Sequence, residues 1–287
     1  MPTPEEIEQA VRVIARDNLA AFAVAMQRDY RPSWHHEVIC KKLEAVERGE
    51  IRRLMLFMPP RHGKSELASI KFPAWFIGRN STKEIITASY SAELAGDFGR
   101  KVRNLVDDYL YRTIFNIELA EDSQAKNRWH TKEGGGYVAA GVGGSVTGRG
   151  AHLLIIDDPI KNREEADSQV FRDKVWDWYN STAYTRLAPN GAIVLILTRW
   201  HDDDLAGRIL QQEAHKWELI NLPAIAEQDE KYRKKGEALW PQRYSIDALN
   251  EIKDSIKDEF YPLYQQNPIN AELQEFKKSW FKYYRDD

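Results

Sequence analysis

The sequence predicts an α/β fold in which helices cover both faces of a central, mostly parallel sheet. Three observations carry that expectation. Four short apolar runs, at residues 54–58, 85–89, 153–156 and 192–197, have the length and composition of strands buried on both faces. Helical stripes lie between them: Leu94, Phe98, Val102 and Leu105 make one, and Val170, Phe171, Val175 and Trp178 another. Strands and helices thus alternate along the chain instead of segregating, which is the pattern of a single layered α/β structure.

The 287 residues suffice for one large domain or a medium domain with appendages, and a composition of 43% hydrophobic and 11% aromatic residues excludes wholesale disorder. Lys plus Arg number 41 against 44 Asp plus Glu, a formal charge of −3, which excludes a generally polycationic nucleic-acid binder. Any DNA contact must come from local basic patches. The lone cysteine, Cys40, excludes a disulfide framework or a Cys-based zinc site and fits a reducing, intracellular compartment. The longest apolar runs, such as AIVLIL at 192–197, fall far short of the ~18 residues that suggest a membrane span. The acidic start MPTPEEIEQA lacks the pattern of a signal peptide, so neither secretion nor membrane anchoring is expected.

In chain order, Ile7, Val11, Ile14, Leu19, Phe22 and Met26 form one stripe of a long opening helix. A second helix follows Pro32, with Ser33 as its cap and Val38, Ile39, Leu43 and Val46 facing inward. Both precede the first strand. Weaker strand candidates stand at 137–140 and 219–222. After about Ala226 the character changes: KYRKKGE (231–237) reads as an exposed loop, and helices are expected at 246–256 and 260–266. These shifts divide the sequence into a helical lead-in (1–48), a core (49–226) and a C-terminal extension (227–287).

The chemistry concentrates in MPPRHGKSELAS (58–69), which follows the first strand and opens a helix. A phosphate-binding loop needs that context, because backbone N–H groups in the turn and at the helix N-terminus surround the phosphates. Gly63 lets the backbone approach closely, Lys64 can reach the β/γ oxygens, and Ser65 can offer its hydroxyl to Mg²⁺. Pro60, Arg61, His62, Gly63, Lys64, Ser65 and Glu66 are therefore the candidate nucleotide-binding residues. Met58 stands where GxxxxGK[ST] has its first glycine, and Pro59-Pro60 stiffens the turn.

A second motif, HLLIIDDP (152–159), ends an apolar strand in two aspartates. At the carboxyl end of a buried strand, Asp157 is placed to hold Mg²⁺ and Asp158 to polarise an attacking water. The separation of the two motifs leaves room for an intervening strand at 85–89. Together they predict an ATPase.

These residues resemble the ATPase portion of the large terminase subunit of tailed bacteriophages, the motor that pumps DNA into the procapsid. The similarity runs through MPPRHGKSE, ITASYS, GVGGSVTGRGAHLLIIDDPIKNREEADS and TRWHDDDLAGRIL. It implies an additional-strand, RecA-like P-loop ATPase, a three-layer sandwich with the acidic strand at the centre of its sheet. Carried over by position, Lys64 and Ser65 match the nucleotide and Mg²⁺ residues and Asp157 the metal-holding aspartate. Asp158 stands where many terminases have a catalytic glutamate, one methylene longer, with Glu164 and Glu165 in reserve. Arg61 matches an arginine within the P-loop turn, and Arg149 the position of an arginine finger acting on a neighbouring subunit. Thr198 opens TRWH (198–201), which matches the family's coupling motif. For Asp202, Asp203 and Asp204, helix capping and a metal cluster with His201 are the two readings.

The resemblance also places an adenine-recognition segment at YRPSWHHEVI (30–39), where Trp34 or Tyr30 can stack on the base and His35 or His36 can bond its edge. No glutamine stands within that segment. Basic and aromatic residues mingle in RKVRNLVDDYLYR (100–112), in KYRKK and in the tail, and sequence-independent phosphate contacts suit a translocase. The implied cofactors are ATP and Mg²⁺. The implied partners are double-stranded DNA, the portal protein, the small terminase subunit and further copies in a ring, a pentamer, in the cytoplasm of the infected bacterium. No nuclease activity is expected from this chain. Two other readings stand beside this one, a helicase-like nucleic-acid ATPase and a non-enzymatic nucleotide-binding docking module.

Overall fold

Residues 4–26 form two helices, not the single long one that their stripe suggests. The computed structural model describes residues 3–144, 146 and 150–268. Helix α1 (Pro4–Asp17) stops at Asn18, whose side chain accepts the Ala21 N–H at 2.7 Å and so caps α2 (Leu19–Met26). Glu44, itself buried, accepts the Leu19 N–H at 2.7 Å. A short polar side chain that satisfies orphan donors makes a new helix start cheaper than continuing the old one. The break sends the stripe two ways: Leu19 and Phe22 are buried, whereas Ile7, Val11 and Ile14 remain exposed. Helix α3 (Trp34–Glu47) begins at Ser33 as expected.

The strands follow: β1 (Arg53–Phe57) leads through a helical turn and a π-helical segment, Glu66–Lys71, into α4 (Phe72–Arg79), and β2 (Glu84–Ser89) into α5 (Ala92–Val106) and α6 (Tyr109–Phe115). Next come β3 (Leu119–Ala125), β4 (Arg128–Thr131), β5 (Gly136–Gly141) and β6 (Ala151–Asp157). Helices α7 (Arg163–Asp167) and α8 (Gln169–Trp178), strand β7 (Leu187–Leu197), α9 (Leu205–Glu213) and β8 (Glu218–Asn221) complete the sheet layers, and α10 (Ile246–Ile256) and α11 (Phe260–Tyr264) follow. The eight strands lie in the order β3-β4-β5-β2-β6-β7-β1-β8. From β5 to β8 every pairing is parallel, and β3 and β4 extend the sheet antiparallel.

Although β2 lies between β1 and β6 in the chain, the strand between them in the sheet is β7, paired Leu56↔Ile196 on one side and Ile156↔Leu195 on the other. The carboxyl ends of β1, β7 and β6 therefore lie side by side, and the P-loop, Thr198 and Asp158 leave from adjacent points. Ligands of open parallel sheets sit at this edge. Alternation sends Leu54, Leu56, Leu153, Ile155, Val194 and Ile196 into one apolar layer with Ile39, Phe72 and Val102, and Met55, Phe57, Leu154, Ile156 and Leu195 into the other with Val175, Trp178 and Ile209. Helices on both faces are thus obligatory.

Candidate active site

The P-loop is held from behind by three histidines. His36 Nδ1 accepts the Ser33 N–H at 2.9 Å, so its Nε2 carries the proton and donates to the His62 carbonyl at 3.0 Å; His35 Nε2 lies 3.3 Å from the same oxygen. The His62 Nδ1–H in turn donates to the Pro60 carbonyl at 2.8 Å. Burial holds all three imidazoles neutral, His35 down at about 3 and His36 and His62 at about 4. Gly63 cannot be replaced here. Its φ is +94°, and a Cβ would stand 2.6 Å from His36 Nε2. Arg61, at φ +60°, takes the other left-handed position of the turn.

Lys64 reaches back across the loop to the strand ends. Its Nζ lies 2.8 Å from Asp158 Oδ2 and 3.1 Å from Oδ1, and it donates to Thr198 Oγ1, while the Thr198 N–H donates to Asp158 Oδ1 at 2.7 Å. Asp158 achieves this from a left-handed backbone, φ +44°, with its own N–H bonded to Ile196 O at 2.9 Å. The turn swings the short aspartate toward Lys64 immediately past the strand end, a conformation that Asp adopts more readily than most residues.

Asp157 is fully buried. Ser69 Oγ donates to its Oδ2 at 2.5 Å, and Oδ1 has no hydrogen-bond partner among the described residues. Burial first, and the Asp158 carboxylate second, push its pKa upward; Lys64 and the hydroxyls of Ser69 and Ser65 oppose them. A carboxylate oxygen with no donor, beside the Ser65 hydroxyl, is a hard-oxygen pair that fits Mg²⁺.

A cavity of about 530 Å³ opens in front of the loop, lined by Arg61, Gly63, Lys64, Ser65 and Glu66 and closed by Gln27, Asp29, Tyr30, Arg31, His36, Trp240 and Arg243. Of the expected base-recognition residues, Tyr30 and His36 face it. Trp34 does not line it, being stacked on Tyr232 at 5.0 Å, and His35 is fully buried against Trp240. Pro60 and His62 shape the loop from behind without lining the cavity. Glu164 and Glu165 sit on α7, where the Glu165 N–H bonds the Asn162 cap and its carboxylate accepts from Lys161 N–H. Arg149 lies outside the described residues. Gln27, Arg31, Trp240 and Arg243 were not singled out from the sequence: Gln27 stands just before the aromatic segment, Arg31 lies within it, and nothing in the sequence ties the other two to a loop so far upstream.

The family model for the N-terminal part of the large terminase subunit, T4likevirus type, matches residues 55–254. The chain belongs to the terminase large subunit family. Among solved structures, the bacteriophage HK97 large terminase aligns with a TM-score of 0.54 at 12% identity, over 86% of this chain and 54% of that one. The ATPase domain of the Thermus phage P74-26 large terminase, in a mutant form, aligns with a TM-score of 0.55 at 13% identity, over 86% of this chain and 97% of that one. At such identities the likeness establishes the fold, a RecA-like α/β domain. The terminase chain described here spans about half the length of the HK97 protein. A search of curated proteins gives no significant match.

The segment after β7 is anchored twice. Thr198 touches Lys64, and the next residue, Arg199, donates from Nε to Asp204 Oδ2 at 2.7 Å in a buried ion pair, its guanidinium 4.8 Å from the Phe57 ring. Asp204 caps α9 by accepting the Gly207 N–H at 2.8 Å. Its burial raises its pKa, opposed by Arg199. Of the two readings of the aspartates, capping describes Asp204, and no cluster of metal-ligating groups occurs among the described residues. Arg199 N–H also reaches Gln266 Oε1 at 3.4 Å, so one short segment touches the P-loop lysine, α9 and the C-terminal extension.

Proposed function

We propose that this chain is an ATPase motor that hydrolyses Mg-ATP and couples the reaction to movement of double-stranded DNA into a procapsid. The observation that carries this reading is the convergence of Lys64, Asp158 and Thr198 at the ends of three adjacent strands, beside a cavity large enough for a nucleotide. Backbone N–H groups of Gly63, Lys64 and Ser65 cradle the phosphates, and Lys64 exchanges Asp158 for the β/γ oxygens. Ser65 and Asp157 would hold Mg²⁺, which neutralises charge on the β- and γ-oxygens. Asp158, released from Lys64, takes a proton from the attacking water; the new O–P bond forms as the β–γ bridge breaks, giving ADP and phosphate. Arg61, and Arg149 from a neighbouring subunit, stabilise the transferred phosphoryl group, while Thr198 reports its presence. Tyr30 replaces Trp34 as the aromatic that meets the base.

On this reading residues 1–48, 49–226 and 227–287 act as base-side support, motor core and extension. The partners are the portal protein, the small terminase subunit and further copies in a pentameric ring, in the cytoplasm of the infected host. DNA-stimulated ATP hydrolysis by the wild type, Lys64→Ala and Asp158→Asn tests it. Both variants should lose at least about a hundredfold in rate, the scale of a missing general base. Wild-type rates for Asp158→Asn sink the catalytic assignment. Nucleotide binding without hydrolysis in the wild type favours the docking-module alternative.

A further inference from the structure

Part of the cavity wall beside the P-loop is built by the C-terminal extension. Trp240 packs edge-on against His36, ring centroids 4.6 Å apart, and thereby against the histidines that hold the loop. Arg243 is tied back to it through its N–H to Trp240 O at 3.0 Å, and its guanidinium carbon lies 5.2 Å from the indole centroid. The side chain is exposed, and among the described residues its guanidinium has no hydrogen bond or ion pair.

Of the other cations on this cavity, Lys64 is committed to Asp158, Arg31 donates to the carbonyls of Arg28 and Tyr30, and Arg61 belongs to the loop turn itself. Of the two carboxylates on the wall, Asp29 and Glu66, the second is paired with Lys71 at 3.5 Å. The cavity thus carries surplus positive charge, and Arg243 adds a planar, multi-donor group suited to phosphate oxygens. An aromatic face beneath it limits its rotamers before any ligand arrives.

We propose that Arg243 is a phosphate-binding residue supplied by the C-terminal extension, so that a bound nucleoside triphosphate bridges the P-loop and the extension. The proposal rests on the nucleotide-binding reading above. Because Trp240 links Arg243 to His36, a ligand that draws in the guanidinium also tightens the extension against the back of the loop.

Calorimetric titration of ATP and adenosine into the wild type, Arg243→Ala, Arg243→Gln and Arg243→Lys tests this. ATP affinity should fall about tenfold or more in the Ala and Gln variants, the scale of one lost charge-assisted hydrogen bond, and recover in part with Lys. Adenosine affinity and the nucleotide-free melting temperature should stay at wild-type values. Unchanged ATP affinity in Arg243→Ala, or equal losses for ATP and adenosine, overturns the proposal. A wild type that binds no ATP overturns the nucleotide-binding reading itself, and this inference with it.

Discussion

At Asp157 the protein tolerates a buried carboxylate with one oxygen unpaired among the described residues. Burial raises its pKa above the unfolded value, so the ionised form destabilises the fold at neutral pH, and a cation on that oxygen relieves the cost. Asp157→Asn should therefore raise the metal-free melting temperature by a few degrees, equivalent to about 1 kcal/mol, while abolishing Mg²⁺-dependent nucleotide hydrolysis. Differential scanning fluorimetry with and without Mg²⁺ checks it; a lower melting temperature refutes the account. The residue types here were legible, because Lys64, Ser65, Asp157 and Asp158 carry their chemistry in their identity and their position after apolar strands. The left-handed turn at Asp158 was not legible. It depends on how far β6 runs before the chain must meet Lys64.

Among the elements, α3 and the P-loop are joined by neutral histidines. His35, His36 and His62 titrate near 3 to 4 in the folded state against about 6.5 unfolded. Their folded values are depressed, so below pH 6.5 the unfolded chain binds protons that the folded one refuses. Stability falls as pH drops from about 6.5 to about 4, by up to about 1.4 kcal/mol per pH unit for each histidine. Asp157 and Asp204, whose pKa values are raised, offset part of this slope in the lower portion of the window. The comparison is therefore made by difference: His36→Gln should melt at a lower temperature at pH 7.5 and lose less between pH 7 and 5 than the wild type. Parallel pH profiles contradict it. The resemblance put His35 or His36 beside a base; His36 does line the cavity, and the packing of α3 under the loop, which buries His35, was not legible in the sequence. Strands β3 and β4 escaped for a plainer reason. LAEDSQA and RWHT at the sheet's edge are too polar to form an apolar run.

For the whole molecule, the order of the strands matters more than their number. By inserting β7 between β1 and β6, the sheet brings the segment that follows β7 to the P-loop lysine and, through Arg199, to α9 and the extension. Arg199→Ala strands the buried Asp204 carboxylate and should cost about 3–5 kcal/mol in urea denaturation, the range for breaking one partner of a buried pair. A loss below 1 kcal/mol means that water reaches Asp204. Fold class was legible because four apolar runs alternating with helical stripes admit few other arrangements. Strand order was not, since β2 and β7 both read as buried strands and either could have stood beside β1. The contribution of Trp240 and Arg243 was not legible either, for it joins residues far apart in the chain.

The bond between Lys64 and Asp158 bears on which anions reach the loop. Its principal cation is already neutralised by an internal anion that is always present at high local concentration. Orthophosphate or sulfate, offering one group to one lysine, must outcompete that carboxylate and the Thr198 hydroxyl together. A triphosphate engages the loop amides and the rest of the cradle at once, and so can displace them. On the nucleotide-binding reading proposed above, the ion pair would act as a discriminator, disfavouring small anions relative to a nucleotide.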